Sequence, residues 1–133
     1  MKVAFATEDL QRVDAHFGWA RHIVIYEVTA DSRGFVRSLE FEEATEDGDD
    51  DKLGPRLAAI EGCTILYVAA IGGSAAARVI AKKVHPIKVT EPQIIAAILD
   101  KLQVVLQGTP PPWLRRALRA APAYQREDED HYA

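Results

Sequence analysis

The most constraining feature of the sequence is an unbroken apolar run at residues 64–70 (TILYVAA). A run of this length without alternating polar residues is typical of a β-strand that is covered on both faces. It is followed by Gly72, Gly73 and Ser74, and then by the segment AAARVIAKK at 75–83. This order predicts a turn into a helix with Ser74 as its N-cap. The run therefore predicts an α/β fold in which helices cover both faces of a sheet.

Hydrophobic spacing elsewhere in the chain predicts the remaining elements. On the strand at 35–43, the even spacing of Phe35, Leu39 and Phe41 places these residues on one side. Antiparallel strands at 21–29 and 35–43 beside a parallel portion give a mixed five-stranded sheet. The right-handed crossover rule makes the other three strands parallel and adjacent. The predicted strands are residues 2–7, 21–29, 35–43, 64–70 and 85–90, and the predicted helices are residues 52–61, 75–83, 91–106 and 113–120.

Turn and cap residues set the expected helix ends. The first helix becomes regular near Pro55, a position that tolerates proline, and ends at Gly62. The helix at 91–106 is capped by Thr90 and stopped by Gly108. The final helix is short and basic, and it follows the three prolines at 110–112.

The chain has 133 residues, 48% of them hydrophobic, which fits one domain that we place at residues 1–120. Nine of the 20 acidic residues lie in two clusters, at 46–51 and 127–130, which we interpret as a solvated loop and part of a disordered tail at 121–133. When these nine are left out, the rest of the chain has 16 basic and 11 acidic residues. This mildly basic body suits an anionic ligand, but the excess is too small and dispersed to indicate nucleic acid.

The single cysteine excludes an internal disulfide and any zinc site built from several thiolates. No apolar run approaches the length of a membrane helix, and the first residues do not form a signal peptide. We therefore expect a cytoplasmic protein that does not associate with membranes. A monomer is favoured, although the oligomeric state stays open.

Three residues are candidate metal ligands: His16, Cys63 and His85. His16 is the best of them because it follows a strand, lies in a loop and precedes Phe17 and Gly18. Each has an alternative role: a surface or capping histidine for His16, a small core residue for Cys63, and a turn-ordering residue for His85. His22 opens a strand and is expected to face solvent.

The segment Ile71, Gly72, Gly73 and Ser74 is a candidate binding turn. It brings backbone N–H groups and a helix N-terminus to the carboxyl ends of the strands, where open α/β sheets bind ligands. The alternative is that the glycines only permit a tight turn. Four cations near the proposed loops offer charge to an anion or are ordinary surface residues: Arg12, Arg21, Arg78 and Lys82.

Four blocks of the sequence, in the same order, resemble the NifX-type nitrogenase cofactor carriers, within the dinitrogenase iron–molybdenum cofactor-binding proteins. The similarity covers roughly residues 1–119. The blocks are the opening MKVAFAT…VDAHFGWA, the strand HIVIYEV, the stretch CTILYVAAIGGSAAARVIAKKVHPIKV and the ending LQVVLQGTPPPWLRRAL.

The resemblance implies a fold like ribonuclease H without nuclease activity. It also implies that the protein transiently binds the iron–molybdenum cofactor, or its iron–sulfur precursor, and passes it to other nitrogenase cofactor assembly proteins. By position, His16 in the HFG motif matches the family histidine associated with cluster contact, and Ile71–Gly73 match the ligand-facing loop. Roles for Cys63 and His85 are less well defined by the resemblance.

Two other function classes stay open on the sequence. A metal-dependent hydrolase would use Asp9 and Asp14, but the first strand carries no acidic residue. A protein-binding adaptor would dock through the segment after Trp113, which includes Arg115, Arg116 and Arg119. The same segment can instead pack on the sheet, because Trp113, Leu114 and Leu118 share a helix face.

Overall fold

The computed structural model describes residues 1–42 and 53–119. The predicted acidic loop at 46–51, the first residue of the predicted helix at 52–61, and the predicted tail lie outside the described residues. No helix within the described ranges is both long enough and apolar enough to cross a membrane.

Seven strands are present in the described residues: β1 (Lys2–Thr7), β2 (Arg12–Val13), β3 (His22–Val28), β4 (Arg33–Glu40), β5 (Ile65–Val68), β6 (His85–Lys88) and β7 (Gln93–Ile94). Five of them form one mixed sheet in the order β4-β3-β1-β5-β6. β1, β5 and β6 are parallel neighbours, while β3 pairs antiparallel with both β1 and β4. This confirms the predicted mixed sheet and its three parallel strands.

Helices cover both faces of the sheet, as the apolar run predicts. The helices are α1 (Leu53–Ala59), α2 (Gly73–Ala81), α3 (Ile95–Gln107) and α4 (Pro112–Arg119). Alternate residues of β5 are buried on opposite faces, which explains why the apolar run is continuous. Leu66 and Val68 enter a core beneath α1 and α2, whereas Ile65 and Tyr67 enter a core beneath α3 and α4.

The two ends of the sheet differ in what they carry. One end of the sheet is where β1, β5 and β6 end, and we call it the carboxyl edge. β3 begins there, since His22 pairs with Thr7. We call the opposite end the amino edge. Open α/β sheets bind ligands at the carboxyl ends of their strands.

Two predicted helix caps are wrong. Ser74 lies inside α2, whose N-cap is Gly72. Thr90 does not cap α3, which begins at Ile95. The residues before α3 pair as β7 with β2 in a two-stranded ribbon, and the Ile95 N–H donates to the Gln11 carbonyl oxygen at 2.8 Å. Tertiary pairing therefore delays the helix beyond the point that local spacing predicts.

The prediction that Phe35 and Leu39 share one side of their strand is also wrong. The register of β3 and β4 shifts between Ile25 and Tyr26, so that one residue of β4 is extra. Phe35 lies opposite Tyr26, with ring centroids 5.9 Å apart, whereas Leu39 packs on the core beneath α1 and α2. A β-bulge exchanges the faces of the residues on its two sides.

Candidate functional site

Two carboxylates shape the loop that leads from β1 into the carboxyl edge. Asp9 Oδ1 accepts hydrogen bonds from the backbone N–H groups of Gln11 and Arg12 at 2.9 and 2.8 Å. These bonds, with the Arg12 side chain, hold the pKa of Asp9 well below its usual value. Asp14 Oδ1 accepts the Glu8 N–H at 2.8 Å. The acids considered for hydrolysis therefore hold the loop. Within the described ranges, no three His, Cys, Asp or Glu side chains form a group able to hold a metal ion.

His16 lies where this loop joins the end of β5. The Ala69 N–H donates to the Ala15 carbonyl oxygen and the Phe17 N–H to the Ala70 carbonyl oxygen, both at 2.9 Å. His16 thus forms a parallel bridge with Ala70. Its Nδ1 also accepts the Gly18 N–H at 3.0 Å, which caps a short 3-10 helix. His16 therefore has the capping role that the sequence left open. The same hydrogen bond holds its imidazole at the carboxyl edge, beside the segment that leads into α2.

The two residues after His16 support it from behind. The Phe17 side chain is fully buried in the core beneath α1 and α2, and its N–H is used by Ala70. The Gly18 N–H is used by the His16 ring. Of the HFG motif, Phe17 and Gly18 are therefore buried and position His16, which is half-buried.

Arg56 is a positioning residue that sequence reasoning missed. It is 4% exposed, and its Nε and Nη2 donate to the Ala20 carbonyl oxygen at 3.2 and 2.7 Å, at the end of the 3-10 helix. Its guanidinium also lies 4.7 Å from the centroid of the Phe41 ring. A signal for it was present, because Arg56 follows Leu53 by three residues and precedes Ile60 by four, on the predicted apolar face.

The diglycine turn opens the N-terminus of α2 at the carboxyl edge. Gly72, Gly73 and Ser74 are exposed, while Ile71 packs partly on the core. Gly72 has an ordinary extended conformation (φ −73°, ψ 157°), and no side chain caps the helix. A Cβ atom at Gly72 or Gly73 would meet no atom within 4 Å. The turn therefore needs glycine neither for its backbone nor for internal room, so the tight-turn alternative does not account for these residues.

The candidate cations are distributed unevenly. Arg21 lies at the carboxyl edge, where its backbone N–H donates to Glu8 Oε2 at 3.0 Å and its Nε lies 3.8 Å from Glu8 Oε1 in an ion pair. Arg12 is there too, in a 2.8 Å ion pair with Asp9. Arg78 is exposed in α2, about 8 Å along the helix from Gly73. Lys82 caps the far end of α2 and pairs with Glu61 at 2.8 Å, which removes it from the site.

Cys63 and His85 lie at the amino edge, away from His16. His85 pairs with Ile65 at the start of β5, whereas His16 bridges Ala70 beyond its end. Five residues of extended chain separate these levels, or about 16 Å. Cys63 is 2% exposed, and burial raises the pKa of its thiol to about 12. The structure therefore does not bring the three candidate metal ligands together.

Two further sequence expectations are settled by packing. His22 is not a solvent-facing residue, because its side chain is only 16% exposed. The segment at 113–118 packs on the sheet: Leu114 is buried in the core beneath α3 and α4, and Trp113 and Leu118 pack against that core. Trp113 also stacks on His85, with ring centroids 4.3 Å apart.

Comparison with known proteins agrees with this architecture. Residues 1–104 match the protein family described as "Dinitrogenase iron-molybdenum cofactor". The chain is 57% identical to Protein NifX of Herbaspirillum seropedicae over 120 residues, covering 90% of this chain and 82% of that protein. It is 45% identical to Protein NifX of Rhodobacter capsulatus over 123 residues, covering 89% and 77%.

A solved structure supports the fold independently. The crystal structure of PH0822 superimposes with a TM-score of 0.60 at 21% identity, covering 78% of this chain and 89% of that one. This likeness shows an α/β fold and no more. The family match and the NifX relatives connect the protein to nitrogenase cofactor biosynthesis. The chain belongs to the dinitrogenase iron-molybdenum cofactor family, among its NifX-type members.

Proposed function

We propose that the protein is a non-catalytic carrier. It binds the iron–molybdenum cofactor of nitrogenase, or its iron–sulfur precursor, at the carboxyl edge and passes it between cofactor assembly proteins in the cytoplasm. One observation carries the proposal: main-chain hydrogen bonds fix His16 against the end of β5, beside the exposed and uncapped N-terminus of α2.

The chemistry of such a site suits a large anionic cargo. N–H groups in the first turn of a helix lack intrahelical partners, and the helix dipole adds partial positive charge there. Backbone N–H groups that converge on one point bind anions, and they contribute to many phosphate and iron–sulfur sites. A carrier must also release its cargo, and a site with one imidazole and several amides holds fewer metal bonds than a permanent four-thiolate site.

The hydrogen bond from Gly18 bears on how His16 would meet the proposed cargo. Because Nδ1 accepts an N–H, the neutral ring carries its proton on Nε2. Nε2 is then a hydrogen-bond donor to an anionic cluster. An iron–Nε2 bond would require the proton to move to Nδ1 and the Gly18 bond to break. This arrangement favours first contact by hydrogen bonding, with Arg78 contributing longer-range charge, whereas the charge of Arg21 is offset in part by Glu8.

Anaerobic binding tests the proposal. Apoprotein is mixed with isolated iron–molybdenum cofactor and passed through a size-exclusion column, and we expect visible absorbance to elute with the protein. His16→Ala should reduce retention about tenfold, the effect of losing one charge-assisted hydrogen bond. His85→Ala is the matched control, because it removes an imidazole from the opposite end of the sheet. Wild-type retention by His16→Ala would remove His16 from the site.

A further inference from the structure

A concave surface lies at the amino edge, where α2 and α4 frame the start of β6. Its volume is about 300 Å³. The stacked rings of His85 and Trp113 form its floor, and Ile80 forms an apolar wall that is 58% exposed. We call it the amino-edge groove, and its lining residues are Ile80, Lys83, Val84, His85, Trp113, Arg116 and Ala117.

The groove carries two positive charges that no described carboxylate neutralises. Across residues 1–42 and 53–119, neither Lys83 nor Arg116 forms an ion pair, whereas neighbouring Lys82 is paired with Glu61 at 2.8 Å. Both cations border an aromatic and aliphatic surface. A basic rim around apolar surface is typical of a site for an acidic, partly apolar partner.

Lys83 occupies a backbone position that favours glycine. It follows α2 with φ 68°, and its N–H donates to the Ile80 carbonyl oxygen at 2.9 Å. The Val84 N–H donates to the Val79 carbonyl oxygen at 3.3 Å, which completes a Schellman motif. A side chain in this left-handed conformation costs roughly 1–2 kcal/mol. The motif places Lys83 at the C-terminal end of α2, where it lines the groove.

An apolar depression adjoins the groove on the other side of Trp113. It has a volume of about 230 Å³ and lies between α3 and α4. Its wall includes Tyr67, Ile98, Leu102 and Val105. Trp113 therefore separates a cationic groove from an apolar depression. An occupant that places carboxylates beside one large apolar side chain would complement both surfaces.

We propose that the amino-edge groove docks an acidic peptide segment of a partner protein, with its carboxylates on Lys83 and Arg116 and a large apolar side chain beside Trp113. The groove is about 16 Å along β5 from the level of His16, so docking leaves the carboxyl edge open. The proposal does not depend on what the carboxyl edge binds.

A labelled peptide tests the groove on the full chain. The probe is a fluorescein-labelled peptide with four acidic residues around one leucine, and the readout is fluorescence anisotropy. We expect saturable binding in 50 mM salt that weakens in 0.5 M salt. Lys83→Glu and Arg116→Glu should each weaken binding about fivefold, the effect of one exposed ion pair. Ile80→Asn should weaken it as well, through lost apolar contact.

The control is Arg37→Glu, which makes the same charge change on β4, at the opposite side of the sheet. We expect this variant to bind like the wild type, with folding of all variants checked by circular dichroism. An equal loss in Arg37→Glu would reduce the interaction to net charge and overturn the proposal. Binding that occurs only after deletion of residues 121–133 would assign the groove to the chain's own tail. Displacement of the peptide by isolated cofactor would assign it to cargo, and absence of binding would also contradict the proposal.

Discussion

The thiol of Cys63 shows how burial decides the chemistry of a single residue. Burial raises its pKa to about 12, so the reactive thiolate form is strongly disfavoured at neutral pH. We predict that iodoacetamide labels the native protein more than tenfold more slowly than the urea-unfolded protein, as followed by intact mass. Equal labelling rates would show that the thiol is accessible and ionisable, and would restore it as a candidate ligand.

His85 gives a pH dependence with a defined sign. Desolvation lowers its pKa in the folded protein below the usual 6.5, so the unfolded state binds more protons in that range. The free energy of unfolding should therefore fall as the pH decreases below about 6.5. In urea titrations at pH 7.5 and 5.0, we predict a smaller loss for His85→Phe, which keeps an aromatic ring against Trp113. Identical losses in the two proteins would contradict the assignment.

At the scale of elements, patterns within one segment were predictable and pairings between distant segments were not. The apolar run at 64–70 specifies β5 because both faces of one strand must be buried. The ribbon of β2 and β7 joins Arg12 to Ile94, and the register shift in β4 depends on its partner β3. Neither leaves a local signal, so the expected start of α3 and the expected face of Phe35 were wrong.

For the candidate site as well, local patterns were predictable and contacts between distant segments were not. The loop containing His16 and the diglycine turn were predictable, because each follows a parallel strand and must reach the carboxyl edge. The same rule separates Cys63 and His85 from them, since both residues come just before or at the start of a strand. The buried contact of Arg56 with Ala20 required the structure, because no local spacing indicates which carbonyl group it reaches.

The diglycine turn allows fold and binding to be tested separately. Gly73 begins α2 and a Cβ there meets open space, so Gly73→Ala should leave the free energy of unfolding unchanged or raise it by up to about 1 kcal/mol. The added methyl group should nevertheless weaken cofactor retention by blocking close approach to the helix N-terminus. Gly34→Ala is the control, since its Cβ also meets open space, on β4. A destabilised Gly73→Ala protein, or one with undiminished retention, would contradict this account.

Across the molecule, the two ends of the sheet carry different chemical groups. The carboxyl edge presents an imidazole, exposed main-chain amides and loop cations. The amino edge contains a buried thiol, the stacked rings of His85 and Trp113, and a basic groove. For the proposed carrier role, this arrangement would leave a cargo at one end accessible while a partner docks at the other.

The most direct test is to map the bound cargo by amide NMR. Isolated iron–molybdenum cofactor is added anaerobically to ¹⁵N-labelled protein, and changes in every backbone N–H signal are followed. We predict that the largest shifts or broadening fall on residues 15–18 and 71–75, with little change at Thr64 and His85. Changes centred on the amino edge, with the signals around His16 and Gly73 unaffected, would contradict the proposed binding of cargo at the carboxyl edge.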